Sequence, residues 1–417
     1  MEAFVALSEL KLSASAIETF KACPARFLLA YEYGLQSEKE KDSLRIGVNW
    51  HRCHEILHLK PKTKCPNCLR HEQLRPDCDL CQGTGVLPAD MMDAVVRFLN
   101  RAYAIVPENK TRDEWEVERI KLLYNISGYY WHYGWEDEFE TIGVEVWFDL
   151  PIIDPDTGKA LSKAHMVGKV DRLARHKSSG LVYMFERKST SKNLTDSIYW
   201  DRLATDDQIT TYLYHLRIMQ QQGKLKQFGI LPNDPLIQGT FYDVWSKPGT
   251  NPKALTQGDS KAFVESGEYC GQKFEIAKDW PTEEVGATRR LIGDRIVEFI
   301  PGKKEGTFSI FETPEMYGAR LLQDISTQPE TYFAQREIAR TDQQLVKYQH
   351  ELANLVKLIR YFQDHNCWYE HDRMCESPYR CDFLNIHNAS GCLGIGPEDL
   401  PEGYRRKKDD RKDNDKS

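Results

Sequence analysis

The 417-residue chain has no run approaching the ~18 consecutive apolar residues that a membrane span requires. Met1–Leu12 shows no basic segment followed by a long apolar stretch, so a secretory leader is not expected and a cytoplasmic location is. No G-x-x-x-x-G-K-S/T loop occurs, which argues against an ATP-driven motor in this chain. No internal repeat is visible. Positive charge is not in excess: 56 Lys and Arg face 63 Asp and Glu, a net −7. That balance excludes a non-specific nucleic-acid coat. It does not exclude a nuclease, because local patches and a bound metal set the field at a site. His51-x-x-His54-Glu55 is neither H-E-x-x-H nor H-x-x-E-H, so a zinc protease is set aside.

What is present suits a globular protein. Hydrophobic residues make up 41% and charged residues 29%, enough for a large core in one elaborated domain or two. Cysteine is plentiful, with eleven residues. Without a leader, that number argues for metal ligation rather than disulfides. Cys65-x-x-Cys68 and Cys78-x-x-Cys81 form C-x2-C-x9-C-x2-C on turn-forming sequence. Four thiolates at that spacing predict a structural zinc site in a loop too short for its own core. Lys60, Lys62, Lys64, Arg70, His71 and Arg75 make the insert basic. DNA guiding, protein docking and a plain surface module all remain open for it. Cys367, Cys375 and Cys381 follow C-x7-C-x5-C and, with Cys23-Pro24, supply four more thiolates from opposite ends of the chain. Such a set fits a 4Fe–4S cluster, with zinc or no metal as the alternatives. Cys53, Cys270 and Cys392 read as ordinary thiols.

Helices are expected over 13–33, 44–59, 89–105, 113–133, 201–222, 283–300 and about 329–363. Strands are expected over 141–150, 164–174, 181–186 and 237–245, and 246–282 reads as a lid or surface excursion. The aromatics Tyr129–Tyr133 and Trp135 suit either base stacking or core packing. The tail 405–417 holds seven basic and four acidic residues and reads as disordered and solubilising, or as a weak phosphate-attracting arm.

The chemistry concentrates in two strings. His165-Met-Val-Gly-Lys-Val-Asp171 and Val182-Tyr-Met-Phe-Glu186-Arg-Lys188 each read as a strand ending in charge. Two carboxylates so delivered can hold Mg²⁺ or Mn²⁺, and a lysine beside them can orient water or stabilise charge on a phosphate. His51 stands upstream on a helix, and Gln208 and Tyr212 share a helical face downstream. A lone E-x-K is weak evidence. The order His, strand-Asp, strand-Glu-x-Lys, Gln-x-x-x-Tyr is informative.

That order resembles the PD-(D/E)XK nucleases, with closest likeness to RecB/AddB-type exonucleases and CRISPR-adaptation nucleases, many of them phage-borne. The likeness runs from Leu12–Phe27 through Gly47…His51, Gly168-Lys-Val-Asp171, Glu186-Arg-Lys188 and Gln208…Tyr212 to the C-terminal cysteines. It implies an α/β restriction-endonuclease-like core, a central mixed sheet flanked by helices, with a zinc insert and a C-terminal iron–sulfur clasp. It implies His51, Asp171 and Glu186 as ligands of Mg²⁺ or Mn²⁺, with the Arg187 carbonyl. Lys188 would position the nucleophilic water, and Gln208 and Tyr212 would organise the site or contact DNA. Glu145 would support the metal from the preceding strand, or simply face solvent. The Cys23, Cys367, Cys375 and Cys381 set would hold the 4Fe–4S cluster and staple the first and last helices. The expected organisation is 1–60 N-terminal helices, 61–88 zinc insert, 89–140 helical region, 141–330 nuclease core, 331–400 cluster helix and 401–417 tail. The expected activity is DNA hydrolysis at ends or single strands. Two other readings stay open: a subunit active only beside a helicase or recombinase, and a non-catalytic DNA-binding or assembly protein of the same fold.

Overall fold

Ile142, Val144, Val146 and Phe148 alternate on one strand, β3, which runs Phe139–Ile153 in the computed structural model. The structure describes residues 9–39, 41–70, 72–134, 138–276, 289–293, 295–304, 307–376 and 380–407. His71, Trp135 and the tail beyond Lys407 lie outside these residues. β3 turns at Asp154-Pro-Asp-Thr-Gly158, where Gly158 takes φ +67° and its N–H donates to Asp154 O at 2.8 Å. It pairs antiparallel with β4 (Ala160–His176).

The other short strands are β1 (Leu10–Leu12), β2 (Leu35–Ser37), β5 (Val182–Thr190) and β6 (Thr240–Ser246). Then come β7 (Glu268–Tyr269), β8 (Gln272–Lys273), β9 (Arg289–Ile292), β10 (Arg295–Pro301), β11 (Phe308–Ile310), β12 (Phe333–Ile338) and β13 (Tyr404–Arg406). The central sheet is mixed. β4 pairs antiparallel with β3 on one edge, and on the other with β1 in parallel and β5 antiparallel. β5 pairs with β6 in parallel, and β12 closes the sheet antiparallel to β6.

Helices cover both faces. Ile17 and Phe20 of Ala14–Ala22, Ile209 and Leu213 of Asp207–Gln221, and Leu352 and Val356 of Asp342–His365 pack with Val146, Met184 and Val244. Trp50 of Asp42–Leu57, Tyr129 of Arg112–Tyr133 and Tyr317 of Pro314–Thr327 pack with Trp245 and Phe333 on the other side. This is the expected α/β sandwich. None of the described helices is long and apolar enough to cross a membrane.

Four expectations need correction. The first helix is broken: Ala14–Ala22 stops at Cys23 in extended conformation, and Pro24 starts a new short helix to Phe27, followed by a wide turn to Glu32. Proline removes an amide and pushes the preceding residue out of helical geometry. The stretch 289–300, read as helical, is the hairpin β9–β10 turning at Gly293 with φ +60°, and its β-branched Ile292 and Val297 pack in a small core of their own. Residues 283–288 of that expected helix lie outside the described residues. The helix expected from 329 is Pro329–Tyr332, then β12, then Asp342–His365, because Phe333–Ile338 completes a ladder with β6. Finally, Tyr404–Arg406 of the expected disordered tail pairs with β2. The nuclease sheet therefore recruits β1 and β12 from outside the expected 141–330 core. The expected lid contains the helix Gln257–Ser266 and the hairpin β7–β8.

Candidate active site

β4 is longer than either partner on its inner edge. β1 pairs with Ala164–Met166 and β5 with Arg172–Arg175, which leaves Val167–Asp171 without a ladder partner on that edge. Asp171 stands where β4 and β5 part, one residue beyond the Arg172↔Phe185 pair, with Glu186 facing it from β5. The Arg187 N–H bridges the gap by donating to Asp171 Oδ2 at 2.8 Å. His51 projects from the helix Asp42–Leu57 and lies 3.3 Å from Asp171 Oδ1 through Nδ1.

The opposite wall is the helix Asp207–Gln221, capped by the Asp206 carboxylate, which accepts from Gln208 N at 2.8 Å. Gln208 reads both charges. Its carbonyl oxygen accepts from Lys188 Nζ, and its Nε2 donates to Glu186 Oε1 at 2.8 Å and to the Tyr212 hydroxyl at 3.2 Å. Lys188 Nζ is 3.1 Å from Glu186 Oε1. Tyr212 can come this close because position 168 is glycine: a Cβ there would sit 2.4 Å from Phe148 Cζ and 3.0 Å from Tyr212 Cε1. All the expected residues thus converge, and His51, Asp171, Glu186, Lys188 and Gln208 line one cleft of about 680 Å³. Glu145, also in its wall, has φ +53° and pairs with Lys169.

The electrostatics separate the two carboxylates. Burial pushes Asp171 up, but His51 and Arg187 outweigh it and hold the group at about 2. Burial pushes Glu186 up to about 7; Asp171 adds to the rise, and Lys188 and His51 oppose it. Burial disfavours the Lys188 cation, yet Glu186 and then Asp206 hold its ammonium above the ordinary lysine value. Burial likewise keeps the Tyr212 phenol protonated. Burial and the neighbouring Asp171 thus make Glu186 the weaker acid of the two, and a cation between them would favour its ionised form.

A family model for the PD-(D/E)XK nuclease superfamily matches residues 11–384. The chain belongs to this superfamily. No curated protein matches it. Membership implies a metal-dependent nuclease that acts on DNA with divalent ions such as Mg²⁺ or Mn²⁺. Asp171 and Glu186-Arg-Lys188, on which the sequence resemblance rests, lie within the matched residues. Two supporting residues escaped the sequence reading. Asp206 caps the Gln208 helix and accepts from Tyr242 OH at 3.0 Å; the single helix expected over 201–222 hides it, because the structure breaks that stretch into Ser197–Ala204 and Asp207–Gln221. The side chain of Arg187 is the other; the sequence reading uses only the carbonyl of that residue.

The insert brings its four cysteines together as expected. Cys65, Cys68, Cys78 and Cys81 are buried, and their sulfurs lie within 4.8 Å of one another. Cys65 Sγ is 3.7 Å from Cys78 Sγ, and Cys68 Sγ is 3.4 Å from Cys81 Sγ. A tetrahedral ion with metal–sulfur bonds of about 2.3 Å needs sulfurs about 3.8 Å apart, so the donor set fits one. Burial pushes the Cys81 thiol up, but hydrogen bonds from Cys68 and the neighbouring sulfurs bring it to about 7.

The terminal cysteines differ from expectation in one member. Cys23, Cys375 and Cys381 line one cavity with Cys392, which had read as an ordinary thiol. Cys367 is exposed and does not line it. The helix Asp342–His365 ends at Asn366 in left-handed geometry, and Trp368 then tucks against Phe27 and Phe362. Anchoring Trp368 inward turns its neighbour Cys367 outward. Cys392 is carried in by the turn after Leu384–Ser390, where its N–H donates to Glu370 Oε1 at 2.8 Å. Glu370 Oε2 in turn lies 3.1 Å from His387 Nδ1.

Of the aromatics once open to base stacking, Tyr129 is core, whereas Tyr130 and Trp131 are exposed.

Proposed function

We propose that this chain is a DNA exonuclease acting on DNA ends or single strands, as its likeness to the RecB/AddB-type branch suggests, with zinc in the insert and a 4Fe–4S cluster at the terminal clasp. His51, Asp171 and Glu186 would hold the catalytic ion. Two carboxylates and a neutral imidazole suit Mn²⁺ or Mg²⁺. When bound, that ion supplies Lewis acidity toward a phosphate oxygen and lowers the pKa of water. The chain's own residues do the rest. Lys188 is a cation, so it acts by donating: it orients the attacking water and offsets charge gathering on the phosphate, rather than removing a proton. Gln208 fixes the Lys188 ammonium relative to Glu186, because one amide accepts from the first and donates to the second. Tyr212 braces Gln208 through its hydroxyl.

The observation that carries the reading is this convergence of the E-x-K strand, Asp171, His51 and Gln208 on one cleft. For the clasp, the ligand set we favour is Cys23, Cys375, Cys381 and Cys392. It draws on both ends of the chain, which β2 and β13 already hold together.

The test is cleavage of 5′- and 3′-labelled linear DNA, single- and double-stranded, beside a closed circle. Protein purified without oxygen is supplied with Mn²⁺ or Mg²⁺ and compared with Lys188→Ala. Cleavage of linear but not circular DNA by the parent alone is the expected result, and the label pattern gives polarity. Cleavage of the circle would sink the exonuclease reading. Silence from both proteins, followed by activity once a helicase or recombinase is added, would favour the partner-dependent subunit.

A further inference from the structure

The middle residue of Glu186-Arg-Lys188 is an arginine whose side chain the metal chemistry leaves unused. Side chains alternate along a strand, so Arg187 leaves β5 on the face opposite Glu186 and Lys188. It is 1% exposed. A guanidinium is almost never buried so deeply unless it is paired.

Its surroundings form a row across three strands. In the sheet register Arg187 stands beside Asp243 of β6, and Asp243 stands beside Gln335 of β12. Arg187 Nε lies 3.7 Å from Asp243 Oδ2. The same carboxylate oxygen accepts from the Tyr129 hydroxyl at 2.6 Å, and that hydroxyl accepts from Gln335 Nε2 at 3.0 Å. The guanidinium also reaches sideways: Nη2 is 3.4 Å from His58 Nδ1. His58 is the C-cap of the helix Asp42–Leu57, two turns along the same helix from His51. Meanwhile the backbone N–H of Arg187 holds Asp171. One residue therefore touches every element that brings a proposed ligand to the cleft: β4 through its amide, the His51 helix through its side chain, and β5 by belonging to it; its side chain also reaches the neighbouring strand β6.

We propose that Arg187 is a positioning residue, whose buried side chain registers β5, β6 and the His51 helix so that His51, Asp171 and Glu186 meet at one point. The inference rests on the metal-centre reading above and deepens it. His58 Nδ1 donates to His54 O at 2.8 Å, so the guanidinium meets the imidazole by packing rather than by a hydrogen bond, and a compact ammonium would not fill the space between Asp243 and His58.

The test is Mn²⁺ binding by titration calorimetry on the full chain, at a temperature where circular dichroism shows every variant folded. Loss of the heat in Glu186→Gln assigns it to the cleft. Arg187→Met should weaken Mn²⁺ binding about tenfold or more, the scale on which supporting partners of metal ligands act. Arg187→Lys should recover little of it. Arg187→Met alone strands Asp243 in the core, so the deciding variant is Arg187→Met combined with Asp243→Asn, which removes both buried charges. That double variant should regain thermal stability without regaining Mn²⁺ affinity. Parent-like Mn²⁺ affinity in the double variant would overturn the proposal, since the pair would then serve the fold alone. A parent that binds no Mn²⁺ at Glu186 would overturn the metal-centre reading itself, and the proposal with it.

Discussion

The two cysteine regions are built on opposite plans. The insert takes Cys65, Cys68, Cys78 and Cys81 from one short stretch, and turns put the four sulfurs within 4.8 Å of one another. The clasp takes Cys23 from the first helical segment and Cys375, Cys381 and Cys392 from the last part of the chain. In the insert, spacing and convergence are the same fact, because few paths link cysteines so near in sequence. In the clasp, which cysteines meet depends on how distant segments dock. Trp368 anchors against Phe27, and Cys367 is turned away as a result. The insert is also joined to the catalytic side. Its cysteines share a core with Trp50, Cys53 and Ile56 of the His51 helix, and Arg97 donates to Asp79 O and Leu80 O at 3.0 Å.

The hardest way to break this comparison is to empty the insert. Replacing Cys65 and Cys68 by serine should remove one zinc per chain and unfold the module, since ions in such sites contribute on the order of 10 kcal/mol or more to small folds. Metal analysis and limited proteolysis over 61–88 would check this. An intact, protease-resistant module without zinc would contradict it.

Next in size is Lys188→Ala, which should lower DNA cleavage by about a hundredfold or more while both cysteine sites keep their metals. Cleavage rates beside iron and zinc content separate catalysis from assembly.

The clasp is sharpened by a pair of variants. Cys392→Ser should lose iron, sulfide and cluster absorbance, whereas Cys367→Ser should keep them. The reverse pattern would restore the ligand set that spacing suggested, and retention by Cys392→Ser with loss in His387→Ala would move the fourth ligand to His387.

The smallest effect is a pH dependence at the cleft. Burial raises Glu186 from an ordinary 4.5 to about 7. A raised carboxyl favours the fold while protonated, and that contribution is lost as pH rises through about 7. A divalent ion relieves the ionised form. Mn²⁺ should therefore raise the melting temperature by a few degrees more at pH 8 than at pH 6. An equal shift at both values would mean that Glu186 does not titrate with the metal.

Much of the catalytic strand chemistry was legible because it is local. Asp171 and Glu186-x-Lys188 end apolar runs, Gln208 and Tyr212 lie one helical turn apart, and a strand or helix period places such residues without further information. The insert was legible for the same reason. Local pattern failed where a partner elsewhere in the chain outweighed it. Phe333–Ile338 looks helical until β6 offers it a ladder, and 289–300 looks helical until Gly293 folds it into a hairpin.

The sequence by itself determined the side chains on offer: two carboxylates, a lysine and a histidine that could serve a divalent ion, and cysteines in two groups. Tertiary structure alone decided which of those groups meet. It opened the gap in β4 where Asp171 stands, sent Cys392 rather than Cys367 to the clasp, and buried Arg187 between Asp243 and His58. The reason is physical. Residue type and spacing set what a side chain can do, but long-range pairing and core packing set where it points, and they act between residues that sequence neighbours do not reveal.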